Sequence, residues 1–190
     1  MTILGFTRKE IAAVTIILAV IAMATAANLA VALRRERDSQ RKSDLWTIYD
    51  GLVRYQIDTA SFPPSFEGKL VACYGGVDER GVPQAVPCDW HSDGITNIFT
   101  NAVYLANLPT DPLHNEGSRY YYISNGRYFQ IYAALEGTDE DEYMPEVVSR
   151  NIMCGNRLCN FGRGFMDTPL DKSIEEYENE IRARQKSNEK

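Results

Sequence analysis

The sequence predicts an α+β protein in which one long N-terminal helix packs against a small antiparallel β-sheet, with an extra disulfide-stapled region toward the C-terminus. Three observations predict this fold class. An uncharged run covers residues 11–33, a helical spacing of apolar residues continues through residues 45–53, and two aromatic, β-type runs meet at Asn125-Gly126. The helix is therefore apolar all round in its first half and amphipathic in its second half.

The uncharged run is long enough to cross a membrane. Ile11 to Leu33 gives 23 residues, and at about 1.5 Å per residue a helix of this length covers the roughly 30 Å of bilayer hydrocarbon. A cleaved secretory signal is the competing interpretation, but its apolar stretch is usually about 7–15 residues. We therefore interpret residues 6–33 as a transmembrane half-helix.

Small residues recur on one face of this run, and a smooth face of this kind lets another helix approach closely. The stripe fits either an alanine-rich lipid anchor or a packing face for neighbouring spans, and it consists of Ala19, Ala22, Ala26 and Ala30.

Residues 34–62 are predicted to continue the same helix as its amphipathic half. An apolar stripe runs along it, and the preceding charged stretch offers i,i+4 pairs such as Arg34 with Asp38 and Asp38 with Lys42. The helix should end before Phe62-Pro63, because a residue that precedes proline is disfavoured in the helical region. The apolar stripe consists of Leu45, Ile48, Leu52 and Val53.

Residues 63–170 are expected to form a globular head. Its Gly- and Pro-containing stretch from Ser65 to Ser92 predicts a loop, and the apolar stretch from Ile95 to Leu108 predicts a short helix. The Asn125-Gly126 pair predicts a hairpin with a type I′ turn. Two strands alone are marginal in water, so we expect residues 144–153 to supply a third strand.

Residues 171–190 are predicted to form a charged C-terminal helix or tail. Ser173 and Glu176 have the spacing of a capping box, and Ile174, Tyr177 and Ile181 fall on one face.

The charge distribution is uneven along the chain. Residues 1–42 carry about +4, whereas residues 43–190 hold 13 Lys plus Arg against 23 Asp plus Glu, or about −10. Nucleic-acid affinity depends largely on neutralising phosphates, so no nucleic-acid partner is expected on this acidic surface.

All four cysteines follow the span, and an even count suits disulfides formed in an oxidising compartment. Four cysteines allow three connectivities, and sequence proximity favours Cys73 with Cys88 and Cys154 with Cys159. A zinc site is the alternative, although only the last pair comes near the usual ligand spacing.

The basic residues after the span give the opposite topology signal. Arg34, Arg35, Arg37, Arg41 and Lys42 follow it, and the positive-inside rule would place them in the cytoplasm. That rule describes a bias, and the cysteines indicate export. We therefore predict a single-pass protein whose C-terminal domain lies outside the cytoplasm.

The start of the chain resembles a known processing signal. Gly5-Phe6-Thr7-x-x-Glu10 ahead of an apolar run is similar to the class III signal of type IV pilins and type II secretion pseudopilins. The resemblance covers about residues 5–136, in the order of the family. Its further matches are Asn28-Leu29, Arg41-Lys42-Ser43-Asp44-Leu45, Phe62-Pro63 and Leu108-Pro109-Thr110-Asp111-Pro112.

This resemblance implies a structural filament subunit. Residues 1–5 would be a leader that prepilin peptidase removes between Gly5 and Phe6, followed by methylation of the new amino terminus. The mature chain would leave the bacterial cytoplasmic membrane for a cell-surface or periplasmic filament. Its partners would be other copies, other pilins or pseudopilins, membrane lipid before assembly, and an inner-membrane platform protein with its assembly machinery.

The resemblance also implies a role for Glu10. A carboxylate at the edge of hydrocarbon costs a few kcal/mol unless it has a partner, and family precedent pairs it with the Phe6 amine of a neighbouring subunit. Glu10 would then fix the axial register between subunits. Alternatively, Glu10 marks the interfacial end of a span, with its carboxylate in water.

No enzyme and no resident cofactor is expected, because the sequence lacks a catalytic constellation. The two histidines, His91 and His114, lie in loop-like sequence. Some related pseudopilins hold calcium after the hairpin, so Asp139 and Asp141 are candidate calcium ligands, and a solvated acidic loop is the alternative. A different class of function is an uncleaved, single-span anchored domain that acts outside the cytoplasm as a binding or sensor module.

Overall fold

The computed structural model describes residues 7–188. Three α-helices, one 3-10 turn (His114–Glu116) and ten strands occur in this range. The helices are α1 (Arg8–Thr59), α2 (Pro145–Val148) and α3 (Ile174–Asn188). The strands are β1 (Ser65–Phe66), β2 (Lys69–Val77), β3 (Pro83–Pro87), β4 (Ile95–Thr96), β5 (Val103–Leu105), β6 (Tyr121–Ser124), β7 (Phe129–Ala133), β8 (Met153–Cys154), β9 (Arg157–Leu158) and β10 (Phe161–Gly164). The α+β class and the long N-terminal helix are confirmed.

Helix α1 is one continuous helix of 52 residues. Its most apolar stretch is not buried against the rest of the chain, and by length and composition α1 could cross a membrane. It ends at Thr59, shortly before Phe62-Pro63, and the capping residue Ala60 has a φ of 61°. The helix therefore stops where the proline motif predicts.

The second half of α1 supplies one wall of the hydrophobic core. Leu45, Ile48 and Leu52 are fully buried, and burying a side chain of this size contributes about 1.5–3 kcal/mol. On the facing wall, the ring centroids of Phe62 and Phe129 lie 4.8 Å apart. The helix thus leaves its first half exposed and uses its second half to organise the head.

The predicted hairpin is the centre of the largest packed sheet. Strands β6 and β7 pair antiparallel, with Tyr122 opposite Ile131. The third strand is β10 on the other side of β7. The expectation that residues 144–153 supply this strand is wrong, because Pro145 begins the short helix α2 instead.

The connection in this hairpin differs from the predicted type I′ turn. That turn needs two successive positive φ angles, but here Gly126 has a φ of 86° while Asn125 does not adopt a positive φ. Four residues connect the strands, since Ser124 pairs with Phe129. The Asn125 side chain accepts hydrogen bonds from the backbone amides of Arg127 and Tyr128, so it organises the loop by side-chain contact.

Two segments of the head form strands that the sequence did not indicate. Residues 65–92 were expected to be a loop, but they contain β1, β2 and β3 in one antiparallel sheet. Residues 95–108 were expected to be helical, but β4 and β5 form a hairpin there. Gly51 lets this hairpin approach α1, because a Cβ at Gly51 would lie 3.1 Å from side-chain atoms of Ile95 and Leu105.

The cysteines form the two disulfides favoured by sequence proximity. Cys73 on β2 bonds Cys88, which directly follows β3, and Cys154 on β8 bonds Cys159, which directly follows β9. No cysteine is free for the alternative zinc site. The Ser173–Glu176 capping box is present at the start of α3, and the Tyr177 ring contacts Tyr128 on the head.

Candidate functional site

The first turn of α1 holds Glu10 in a reciprocal cap. Thr7 is the N-cap residue, and its backbone amide donates to Glu10 Oε2 at 2.7 Å. The Glu10 amide donates in return to Thr7 Oγ1 at 3.4 Å. Gly5 and Phe6, the residues of the expected cleavage, lie outside the described residues. Glu10 therefore has a local partner within its own chain, in addition to the two environments predicted for it from the sequence.

The small-residue stripe lies on an open helical face. Ala19, Ala22, Ala26 and Ala30 are all exposed, and large apolar side chains surround them, including Ile17 and Ile21 at more than half exposure. Apolar surface of this extent is favourable only when lipid or another protein covers it.

A charged cluster joins α1 to the head just beyond the apolar stretch. We call residues 34–42 of α1 the basic segment and residues 136–142 the acidic loop. Arg41, at the centre of the cluster, is fully buried. Its Nε and Nη2 atoms bind both oxygens of Asp111, at 2.8 and 3.0 Å, and its Nη1 binds Asp38 and Glu136, each at 2.8 Å.

Asp38 holds the backbone of the acidic loop. It is fully buried, and its two oxygens accept hydrogen bonds from the amides of Glu136 and Gly137, at 2.8 and 2.9 Å. The i,i+4 partners expected for Asp38 are wrong, since its ion pair is with Arg41. These hydrogen bonds hold the segment that follows β7 against α1.

Three further cations of the basic segment form ion pairs with the acidic loop. Arg34 pairs with Asp139 at 2.8 Å, and Arg37 pairs with Glu136 at 2.6 Å. Lys42 pairs with Glu140 at 2.7 Å and also contacts Glu142. Four of the five basic residues in the basic segment therefore form ion pairs within the folded chain.

These contacts shift the proton affinities of the cluster. Burial disfavours the charge of Arg41, but the hydrogen bonds from its guanidinium to Asp111, Glu136 and Asp38 outweigh this effect and raise its pKa. The hydrogen bonds from Arg37, together with those from Arg41, lower the pKa of Glu136 to about 2. Both groups keep their charges at neutral pH.

The candidate calcium ligands have different surroundings. Asp139 is bound to Arg34, whereas Asp141 is exposed. Within residues 7–188, no group of three or more His, Cys, Asp or Glu side chains is arranged to hold a metal ion. His91 and His114 stack with their ring centroids 6.4 Å apart.

Sequence reasoning missed the buried charges at the centre of this cluster. Asp38 and Arg41 continue the spacing of Leu45, Ile48 and Leu52, so they fall on the buried face of α1. The sequence did contain a signal for these buried charges, because charged residues that share the spacing of an apolar stripe are seldom buried without a partner. Their partner Asp111 lies 70 positions further along the chain, and nothing in the local sequence identifies it.

Comparison of the chain with protein-family models, with curated proteins and with solved structures finds no match.

Proposed function

We propose that this protein is a structural filament subunit of the type IV pilin or type II secretion pseudopilin kind, with no catalytic activity. Prepilin peptidase would cut between Gly5 and Phe6 and methylate the new amine. The mature chain would then polymerise through the apolar half of α1, alone or with related subunits, and extend from the bacterial cytoplasmic membrane.

The continuity of α1 is the observation that carries this proposal. A single helix exposes its apolar first half and buries its second half in a small head. The exposed half needs an apolar environment, which lipid supplies before assembly and which neighbouring helices supply in a filament. The open stripe at Ala19, Ala22, Ala26 and Ala30 suits close helix contact.

Two separated parts of the family resemblance contact each other in the fold. Arg41, from the match on α1, binds both oxygens of Asp111, from the match before the hairpin. Asp44, from the same match on α1, accepts a hydrogen bond from the Tyr120 hydroxyl at 2.6 Å. The Arg41–Asp111 contact gives the two matches a shared structural role, which supports the resemblance.

The ion pairs of the basic segment also support a head outside the cytoplasm. Four basic residues after the span have partners in the acidic loop or in Asp111. These ion pairs explain why basic residues occur here, so the residues need not indicate that this side of the helix lies in the cytoplasm. The two disulfides also favour this placement, because disulfides form and persist mainly in oxidising compartments.

The first experiment reads the amino terminus of the protein isolated from cells. Mass spectrometry is expected to show a chain that starts at Phe6 and carries an added methyl group. A chain that keeps residues 1–5 and stays dispersed in membranes would contradict the filament proposal.

The second experiment separates the two roles available to Glu10. Glu10→Gln keeps a side chain that can accept from the Thr7 amide but removes the charge. Thr7→Ala removes the hydrogen bonds of the Thr7 hydroxyl and keeps both the carboxylate and its bond from the backbone amide of residue 7. If Glu10 pairs with the Phe6 amine of a neighbour, Glu10→Gln reduces sheared filament yield about tenfold or more and Thr7→Ala changes it little. The reverse order would show that helix capping is what assembly needs.

An uncleaved, anchored binding or sensor domain is the second candidate. The Thr7–Glu10 cap favours it, because this cap gives Glu10 a partner without any neighbouring chain. The same mass measurement distinguishes the two candidates.

A further inference from the structure

We propose that the head binds a carboxylated saccharide in a cleft beside the Cys154–Cys159 disulfide. The cleft has a volume of about 370 Å³, within the range of about 300–1,000 Å³ that is usual for small-molecule sites. A second depression of about 230 Å³ adjoins it and shares Lys69, Trp90 and Arg119 with it. This inference is separate from polymerisation and concerns only the head.

The backbone forms one wall of the cleft in a fixed position. Ser118 and Gly155 pair as an isolated β-bridge, and the Arg119 amide donates to the Cys154 carbonyl at 3.1 Å. Gly155 has a φ of 77°, and a Cβ there would lie 1.9 Å from the Gly117 carbonyl oxygen. The wall is therefore already in place before a ligand arrives, which lowers the entropic cost of binding.

Aromatic side chains offer surface for a sugar ring. Trp90 and Tyr121 both line the cleft and are half-buried. Trp90 is supported edge-on by Tyr120, with centroids 5.8 Å apart. Aromatic faces carry partial negative charge, so they attract the C–H groups on the apolar face of a pyranose.

The polar groups of the cleft suit a ligand that carries both hydroxyls and carboxylate. Arg119 is exposed, and it forms none of the ion pairs found in residues 7–188. Its planar guanidinium can bind a carboxylate through two parallel hydrogen bonds. Lys69 is nearby and is paired with Asp89 at 2.6 Å.

Acceptors for hydroxyl protons complete the site. The Asn156 amide nitrogen donates to the Glu116 carbonyl at 2.7 Å, which fixes the side chain and leaves its oxygen to accept from a sugar. The exposed Glu67 carboxylate also lines the cleft. A neutral sugar would leave Arg119 without an anion, and a simple anion would leave the aromatic faces unused, so a carboxylated saccharide fits the whole lining best.

The test uses the full chain in detergent micelles and trigalacturonate as the probe, with neutral galactotriose as its uncharged counterpart. The chain has two tryptophans, so a Trp46→Phe background leaves Trp90 as the only tryptophan reporter. We expect saturable quenching of its fluorescence by trigalacturonate, at least tenfold tighter than by galactotriose. A tenfold difference corresponds to about 1.4 kcal/mol.

Substitutions then assign the binding to the cleft. Arg119→Ala and Arg119→Gln should each weaken trigalacturonate binding about tenfold or more. Arg54→Ala, which removes another exposed arginine, in α1, should leave trigalacturonate binding unchanged.

Three results would overturn the proposal. They are the absence of saturable quenching at millimolar trigalacturonate, equal losses in the Arg54 and Arg119 variants, and binding of hexaglutamate as tight as that of trigalacturonate. The last result would identify a site for acidic peptides.

Discussion

Replacing Arg41 tests whether the buried charges hold the head onto α1. Arg41→Met keeps much of the side-chain volume but removes four hydrogen bonds, two to Asp111 and one each to Asp38 and Glu136. Asp38 and Asp111 are fully buried and would be left without their cation. Removing one partner of a buried ion pair costs about 3–5 kcal/mol, which is a large part of a typical stability of about 5–15 kcal/mol.

The size of the loss depends on what the carboxylates retain. Asp38 keeps two backbone amides as donors, and Asp111 keeps the Leu113 amide at 2.8 Å. We therefore expect a loss near the lower end, about 3 kcal/mol. With an m value of about 2 kcal/mol per molar urea, the midpoint of unfolding should fall by about 1.5 M.

The assay is urea unfolding of the full chain in micelles, followed by near-ultraviolet circular dichroism. Arg54→Met is the control, because Arg54 is exposed. In the Arg41→Met background, Asp111→Asn removes an uncompensated charge but keeps an acceptor for the Leu113 amide, so it should recover part of the loss. An Arg41→Met midpoint equal to that of Arg54→Met, or a further loss on adding Asp111→Asn, would refute the reasoning.

Three further predictions concern the same fold. The pKa of Glu136 is lowered from 4.5 to about 2, so its ion pairs stabilise the head fully above about pH 4.5. This stabilisation is lost as the pH falls toward 2. Glu136→Gln should therefore make the melting temperature less dependent on pH between about 4.5 and 2. Calcium or a chelator should leave the melting temperature unchanged, because cations of the basic segment already pair with four of the five carboxylates in the acidic loop. A rise of several degrees with calcium would contradict this. Gly155→Ala should destabilise the head far more than Gly81→Ala in urea unfolding. Both glycines have positive φ angles, but a Cβ meets the Gly117 carbonyl oxygen at the first and nothing within 4 Å at the second, and equal losses would refute the steric explanation.

The parts of the fold that the sequence predicted are those with a strong local period. Helix α1 and the β6–β7 hairpin have apolar residues at regular spacing over many positions, and both are present. Strand β10 was missed because its sequence, Phe-Gly-Arg-Gly, has little β-propensity. Gly162 is needed there for packing, since a Cβ would lie 2.7 Å from the Tyr132 ring.

The candidate site shows the same division. Glu10 and the alanine stripe were identified because their signals are local, although the cap between Glu10 and Thr7 was not expected. The charged cluster depends on contacts across about 70 to 105 positions, which no local pattern reports. Asp38 and Arg41 could have been identified from their register with Leu45, but Asp111 could not.

The unbroken course of α1 also limits how heads can be arranged. At about 1.5 Å per residue, 52 residues form a rod of about 78 Å. The buried ion pairs of Arg41 hold the head against this rod. The orientation of each head is therefore set by its own rod. In any assembly of such rods, neighbouring heads would therefore be related by the same rotation and the same axial step as the rods that carry them.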